Sequence, residues 1–246
     1  MTLVGRRALI TGGGSGLGAD LARRFAAAGF EVVIAGRRIE PLQAVAKSAP
    51  NIRAIAADVT MEDSVKALFA AAGPCDIVIA NAGAATSAPF GRTSLAQWND
   101  IIAVNLTGTF LTLREGLNQI PDWGRLIAIA SIAGLKGYPY VAPYAAAKHG
   151  VVGLVRSLAL EVARKPVTVN ALCPGYLNTE MTDRSIENIV RKTGRSPDEA
   201  LATLMKQNPQ GRLIEPSEVT SSALWLCGAG SESINGQAIA ISGGEA

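Results

Sequence analysis

Three residues near the middle of this chain have the types and spacing to move a proton. In the stretch Ala130 to His149, ASIAGLKGYPYVAPYAAAKH, Ser131 closes an apolar run, and Tyr144 and Lys148 form a Tyr-x-x-x-Lys pair. The second half reads as the opening of a helix, alanine-rich and entered through Pro143. Residues four apart on a helix share a face, with Cβ atoms about 5–6 Å apart. A lysine ammonium there favours the ionised form of a phenol whose ordinary pKa is about 10. Such a tyrosine is an acid/base, and Ser131 offers a hydroxyl to the same substrate oxygen. The same spacing also occurs in ordinary helices as an amphipathic tyrosine and a solvated lysine, so the surrounding elements decide.

Those elements begin at the N-terminus. Arg7 to Thr11 is a short apolar run that breaks into Gly12-Gly13-Gly14-Ser15-Gly16-Leu17-Gly18. A helical pattern follows, with Leu17, Leu21, Ala22, Phe25 and Ala28 three and four apart, stopping at Gly29, and Glu31–Ala35 is a second strand. Strand, glycine turn, helix, strand is the unit that seats a dinucleotide. Glycines admit a pyrophosphate close to the backbone, and the helix start supplies free N–H groups and a positive dipole end. Gly14-x-Gly16-x-x-Ala19 fits the general fingerprint. A glycine-rich turn without ligand is the plain alternative; its placement between two strands favours binding.

The second strand ends in Gly36-Arg37-Arg38, with no acid before Glu40. A carboxylate there would repel a 2′-phosphate, whereas a guanidinium binds one in bidentate fashion. NADP(H) is therefore favoured over NAD(H), which stays possible, with Arg37 as the main contact. The alternative is two exposed arginines at a helix start.

Alternation continues through a strand at Ile52–Ala57, a helix at Met61–Ala72 and a strand at Ile77–Ala80. Long helical segments run from Ser94 to about Leu117, Arg125–Ala130 is a strand that delivers Ser131, and Val167–Leu172 is another. The helix after Tyr144 is apolar nearly all round, as a helix buried on more than one face must be. Residues 180–215 form a mixed-charge helical insertion, followed by a helix at Pro216–Leu226 and a last strand at Gln237–Ile241. The expectation is one Rossmann-like doubly wound α/β domain over residues 1–246, its mostly parallel sheet of about seven strands covered by helices on both faces.

The turn Thr11-Gly12-x-x-x-Gly16-x-Gly18, then Asp58, Asn81-Ala82-Gly83, Asn105, Ser131, Tyr144, Lys148 and Pro174-Gly175 occur in the order and spacing of the short-chain dehydrogenase/reductase family, which the whole chain resembles. The likeness is nearest to 3-oxoacyl-(ACP/CoA) reductases and 3-hydroxyacyl-CoA dehydrogenases. It implies reversible carbonyl reduction with a nicotinamide cofactor and a catalytic set of Asn105, Ser131, Tyr144 and Lys148. It also implies cofactor contacts from Thr11, Gly12, Gly14, Ser15, Gly16, Leu17 and Gly18, from Arg37, Arg38, Asp58 and Val59, from Asn81, Ala82 and Gly83, and from Tyr144, Lys148, Pro174, Gly175, Leu177 and Thr179. Asn105 would sit at a helix irregularity and hold a water that links to the lysine. Two departures stand out: Ala80 replaces a common asparagine, and Ser15 a basic residue frequent in NADP-dependent members.

The insertion at about 180–215 occupies the place of the family's substrate lid. Ile132, Leu135, Lys136, Tyr138, Tyr176 and Met181, beside Ser131 and Tyr144, are the expected substrate contacts. Arg191, Lys192 and Arg195 offer charge to an acyl-CoA or acyl-ACP phosphate, although a solvated helix explains the run equally well. Other ketones, sugars, steroids or cyclic alcohols remain alternative substrates. A non-catalytic nucleotide-binding subunit should have lost part of the catalytic set, and an extended-type epimerase has a longer chain and different glycine spacing.

Bulk properties agree with such a protein. The 246 residues are 48% hydrophobic and 17% charged, a balance for a compact globule. A net charge of +3 with scattered Lys and Arg gives no footprint for nucleic acid. Three widely spaced cysteines and one histidine, His149, offer no metal spacing and suggest reduced thiols in a cytoplasmic protein. No apolar run is long enough for a membrane span. The family resemblance implies a homotetramer.

Overall fold

The computed structural model describes residues 4–120 and 122–246. Seven strands form one parallel sheet in the order β3-β2-β1-β4-β5-β6-β7. They are β1 (Arg7–Thr11), β2 (Glu31–Gly36), β3 (Ile52–Ala56), β4 (Ile77–Ala80), β5 (Gly124–Ile129), β6 (Val167–Pro174) and β7 (Ala238–Ile241). β4, β5 and β6 are buried along their whole length, as strands of a parallel sheet covered on both faces must be.

Period-two alternation sorts the side chains between two layers. Ala8 and Ile10 of β1 face the layer made by α1 (Gly16–Ala27), α2 (Ile39–Ala46) and α9 (Pro216–Cys227). Leu9 between them faces the layer of α3 (Glu62–Ala72), α5 (Gly108–Gln119) and α6 (Ala142–Val162). α1 buries Leu17, Leu21 and Phe25 on one stripe and exposes Arg23 and Arg24 opposite, the amphipathic pattern of a helix laid on a sheet.

Strand order reverses between β1 and β4, so two connections diverge at that point and leave a crevice over the carboxyl ends of the strands. Thr11, buried at the end of β1, closes its floor. Its Oγ1 accepts from the N–H groups of both Asn81 and Ala82 at 3.1 Å, and Asn81 Nδ2 donates back to Thr11 O at 2.9 Å.

The helical run after Ser94 is divided. α4 (Leu95–Ile102) opens with a capping box between Ser94 and Gln97, then Ala103–Thr107 widens into a π-helical turn before α5. The irregularity expected around Asn105 is therefore present. Between β6 and β7 the chain forms α7 (Glu180–Thr193), α8 (Pro197–Met205) and α9. The three cysteines are buried and unbridged. Among the described residues no helix is long and apolar enough to cross a membrane.

Candidate active site

The crevice holds a cavity of about 350 Å³ whose walls include Gly12, Ser15, Gly16, Leu17 and Gly18 on one side and Ser131, Tyr144 and Lys148 on the other. Ser131, at the end of β5, starts a short 3-10 turn, Ile132–Gly134, and its hydroxyl caps that turn by accepting from Ala133 N at 3.1 Å. Gly134 packs so tightly on α6 that a Cβ there would lie 2.7 Å from the main-chain oxygen of Lys148. That close approach brings the Ser131 turn onto the first turns of α6, which Pro143 initiates.

Tyr144 and Lys148 share one face, with the Lys148 ammonium 5.6 Å from the centroid of the tyrosine ring. Lys148 is buried and donates to the main-chain oxygen of Ile129 at 2.7 Å; burial pulls its ammonium down to about 8. The Tyr144 phenol departs from the sequence-based expectation. Burial holds it above its ordinary value, and the group that opposes the rise is Ser131, by hydrogen bonding, not Lys148. The reason is geometric: the ammonium is turned to Ile129.

Asn105 is fully buried in the π turn. Its Nδ2 donates to Ala84 O at 2.8 Å and to Ile101 O at 2.9 Å, and its Oδ1 accepts from Ala84 N at 3.3 Å. The side chain thus pins the loop after Gly83. Its main-chain carbonyl accepts from Thr109 Oγ1 at 2.8 Å.

The opposite wall fits a dinucleotide. Gly12 has φ +70°, and a Cβ there would stand 2.9 Å from both Ala82 Cα and Asn81 Nδ2, so only glycine brings the two strand ends together. Ser15, the N-cap of α1, makes no side-chain cap bond, and the first turn of α1 holds no acid. Its main-chain donors are free for a pyrophosphate.

Several expected residues fall elsewhere. Arg38, at the start of α2, lines the cavity with Ser15, whereas Arg37 is exposed outside it. Asp58 is not in the cavity wall; its Oδ1 caps the turn by accepting from the Thr60 N–H at 2.9 Å and hydroxyl at 2.8 Å. Val59 packs under Gly108 in place of facing the cleft, and Gly14 faces a neighbouring pocket shared with Asn178 and Thr179. Asn81, Ala82, Gly83, Pro174, Gly175, Leu177 and Thr179 all line the main cavity, while Thr11 acts beneath it.

Among the expected substrate contacts, Ile132, Tyr138, Tyr176 and Met181 line the cavity. Leu135 turns into the core against the α6 layer, and Lys136 points to Glu245. The cations at the end of α7 and just after it are already engaged. Lys192 donates to Ser87 O at 2.7 Å, Arg191 to Asn188 Oδ1 at 3.0 Å and Arg195 to Thr203 Oγ1 at 3.2 Å. Arg184, which the sequence placed only in a mixed-charge run, is the α7 cation that lines the cavity.

Comparison with known proteins bears on this geometry. The model of the short chain dehydrogenase family matches residues 6–189. By sequence the chain is 34% identical over 252 residues to a D-beta-hydroxybutyrate dehydrogenase of Rhizobium meliloti, covering 97% of this chain and 98% of that one. It is 34% identical over 254 residues to the 3-oxoacyl-(acyl-carrier-protein) reductase FabG of Aquifex aeolicus, covering 98% of each. Its fold matches a crystal structure of actinorhodin polyketide ketoreductase with NADPH at a TM-score of 0.92 and 33% identity, covering 98% of this chain and 97% of that one.

Proposed function

The chain belongs to the short chain dehydrogenase family and is an NAD(P)-dependent oxidoreductase, and from that premise we propose that it interconverts the 3-oxo and 3-hydroxy groups of an acyl thioester, using NADP(H) by preference. The observation that carries the reading is the facing of Ser131, Tyr144 and Lys148 across one cavity from a glycine cradle that fits a dinucleotide. A nicotinamide held between the glycine cradle and Tyr144 would supply or accept hydride at the substrate carbon. Tyr144 gives its proton to the substrate oxygen in reduction and takes it back in oxidation. Burial keeps its phenol protonated at neutral pH, so the resting side chain is the donor that reduction needs. The Ser131 hydroxyl holds the substrate oxygen and stabilises the charge that develops on it. Lys148, buried in the same wall with its ammonium turned to Ile129, would hold the ribose of the nicotinamide. Asn105 keeps the Ala84 loop in place beneath the pocket and would anchor the water of a proton relay.

Arg38 is the group we assign to the 2′-phosphate, because of the two arginines after β2 it is the one that lines the cleft. The apolar substrate wall of Ile132, Tyr138, Val141 and Met181 suits an acyl chain, and Arg184 at its edge suits the polar remainder of a thioester. α7 and α8 are the proposed lid, held against the loop after Gly83 by Asn188 and Lys192, both bonded to Ser87 at 2.7 Å. Large apolar side chains exposed on the outer helices, Leu95, Leu160 and Trp225, support burial in a homotetramer. Light scattering should then give about four times the chain mass of 25.4 kDa; a monomer would refute that assembly.

The reading is tested by following NADPH and NADH oxidation against 3-oxoacyl thioesters, simple ketones, quinones, sugars and steroids. Turnover of acetoacetyl-CoA and longer 3-oxoacyl thioesters, fastest with NADPH, is expected. Turnover confined to the other carbonyl classes would reject the thioester assignment.

A further inference from the structure

The C-terminus folds back against the substrate side of the cavity. Gly243 and Gly244 take φ values of +63° and +98°, conformations glycine adopts without strain, and they reverse the chain after β7. Gly175 N donates to Ile241 O at 3.0 Å and Glu245 N to Ser242 O at 3.3 Å, so the turn is tied to the strand end that forms the cavity wall. Glu245, the penultimate residue, is carried inward, and its side chain is only 3% exposed. Chain ends ordinarily fray unless they are tied down.

This carboxylate joins residues more than a hundred positions away. The Tyr138 phenol donates to its Oε1. Lys136 Nζ lies 3.2 Å from the same oxygen and donates to the main-chain oxygen of Glu245 at 3.1 Å. Lys136 Nζ also stands 5.3 Å from the centroid of the Tyr138 ring, closing a three-residue clamp. The second oxygen, Oε2, is buried against Gly175 and accepts from no donor among the described residues, an arrangement that costs stability. Tyr138 itself lines the cavity beside Tyr144. With its hydroxyl turned to Glu245, Tyr138 presents its ring to the cavity, and its proton is committed elsewhere.

We propose that Glu245 is a positioning residue for substrate: through Tyr138 and Lys136 it fixes the wall that bears on the substrate beyond the reacting carbonyl. It touches neither reacting atoms nor the glycine cradle. The proposal rests on reading this cavity as the substrate pocket.

The test is a mutant cycle read as KM, kcat and NADPH affinity with acetoacetyl-CoA. Glu245→Ala should raise KM about tenfold, the scale of one lost charge-assisted hydrogen bond, with kcat within about threefold and cofactor affinity kept. Glu245→Gln retains an acceptor for the phenol and should recover most of the loss. In a Tyr138→Phe background, Glu245→Ala should add little, because the contact it removes is already gone. Lys136→Met cuts the clamp from its more exposed side and should raise KM about two- to threefold, which keeps the test open if Glu245→Ala does not fold. The proposal is overturned if the Glu245 and Tyr138 effects multiply independently, if Gln is no better than Ala, or if cofactor affinity falls along with substrate binding. If the wild-type protein reduces no acyl thioester, that reading of the substrate fails by itself. The same cycle on whichever carbonyl compound it does reduce then judges Glu245 separately.

Discussion

The side-chain amide of Asn105 holds both main-chain polar groups of Ala84, donating to its carbonyl at 2.8 Å and accepting from its N–H at 3.3 Å. A residue poorly suited to a helix interior is accommodated because the π turn at Ala103–Thr107 lets its amide span to another segment. Asn105→Ala should leave the Ala84 groups without these partners and cost about 2–4 kcal/mol in urea unfolding. Asn105→Asp can accept from Ala84 N but cannot donate to Ala84 O when ionised, and should also be destabilised. Unchanged unfolding midpoints would remove Asn105 from this structural role.

Lys148 gives the folded protein a pH signature. Its folded value of about 8 lies below the ordinary 10.5, because burial disfavours the ammonium. Between about pH 8 and pH 10.5 the unfolded chain binds more protons at this site, so the lysine's contribution to stability improves as pH rises. The stability of wild type relative to Lys148→Met should therefore increase between about pH 7.5 and pH 9.5. Taking the difference between the two proteins removes the titration of groups remote from Lys148. Parallel stability curves would contradict the burial assigned to this ammonium.

Cofactor choice separates the two arginines after β2. Arg38 lines the cleft and Arg37 does not. Arg38→Ala should lower kcat/KM for NADPH about 10- to 100-fold, the scale of a lost charged hydrogen bond, with NADH little changed. Arg37→Ala should have a smaller effect. Equal loss with both cofactors would show that Arg38 meets no 2′-phosphate.

Sequence and structure agree most closely where periodicity and local chemistry point the same way. β1 and β4 match the sequence boundaries, β5 is shifted by one residue at both ends, and the other strands differ by one or two residues at one end. The Ser131, Tyr144 and Lys148 constellation was legible because one turn and one helix carry it, and fixed spacing sets their geometry. Contacts decided by long-range packing were not legible. Nothing local shows that Leu135 turns inward or that Lys192 is spent on Ser87, whereas the bond from Thr60 to Asp58 is a local turn contact two residues apart. The Tyr144–Lys148 spacing was read correctly, but its electrostatic consequence depends on Ile129, whose carbonyl takes the ammonium. Glu245 escaped notice because an acid beside a chain end ordinarily lies in solvent. Its one local signal was the Gly243-Gly244 pair that turns it inward.

The central claim is that Tyr144 exchanges the proton with the substrate oxygen, and Tyr144→Phe tests it most directly. The variant removes one hydroxyl and keeps the ring, so the fold and the glycine cradle should remain. NADPH binding, followed by fluorescence titration, should stay within a few-fold of wild type while kcat for carbonyl reduction falls by about 10²–10⁴, the scale of general acid–base catalysis. Near-normal turnover by a folded, cofactor-binding Tyr144→Phe protein would contradict the account.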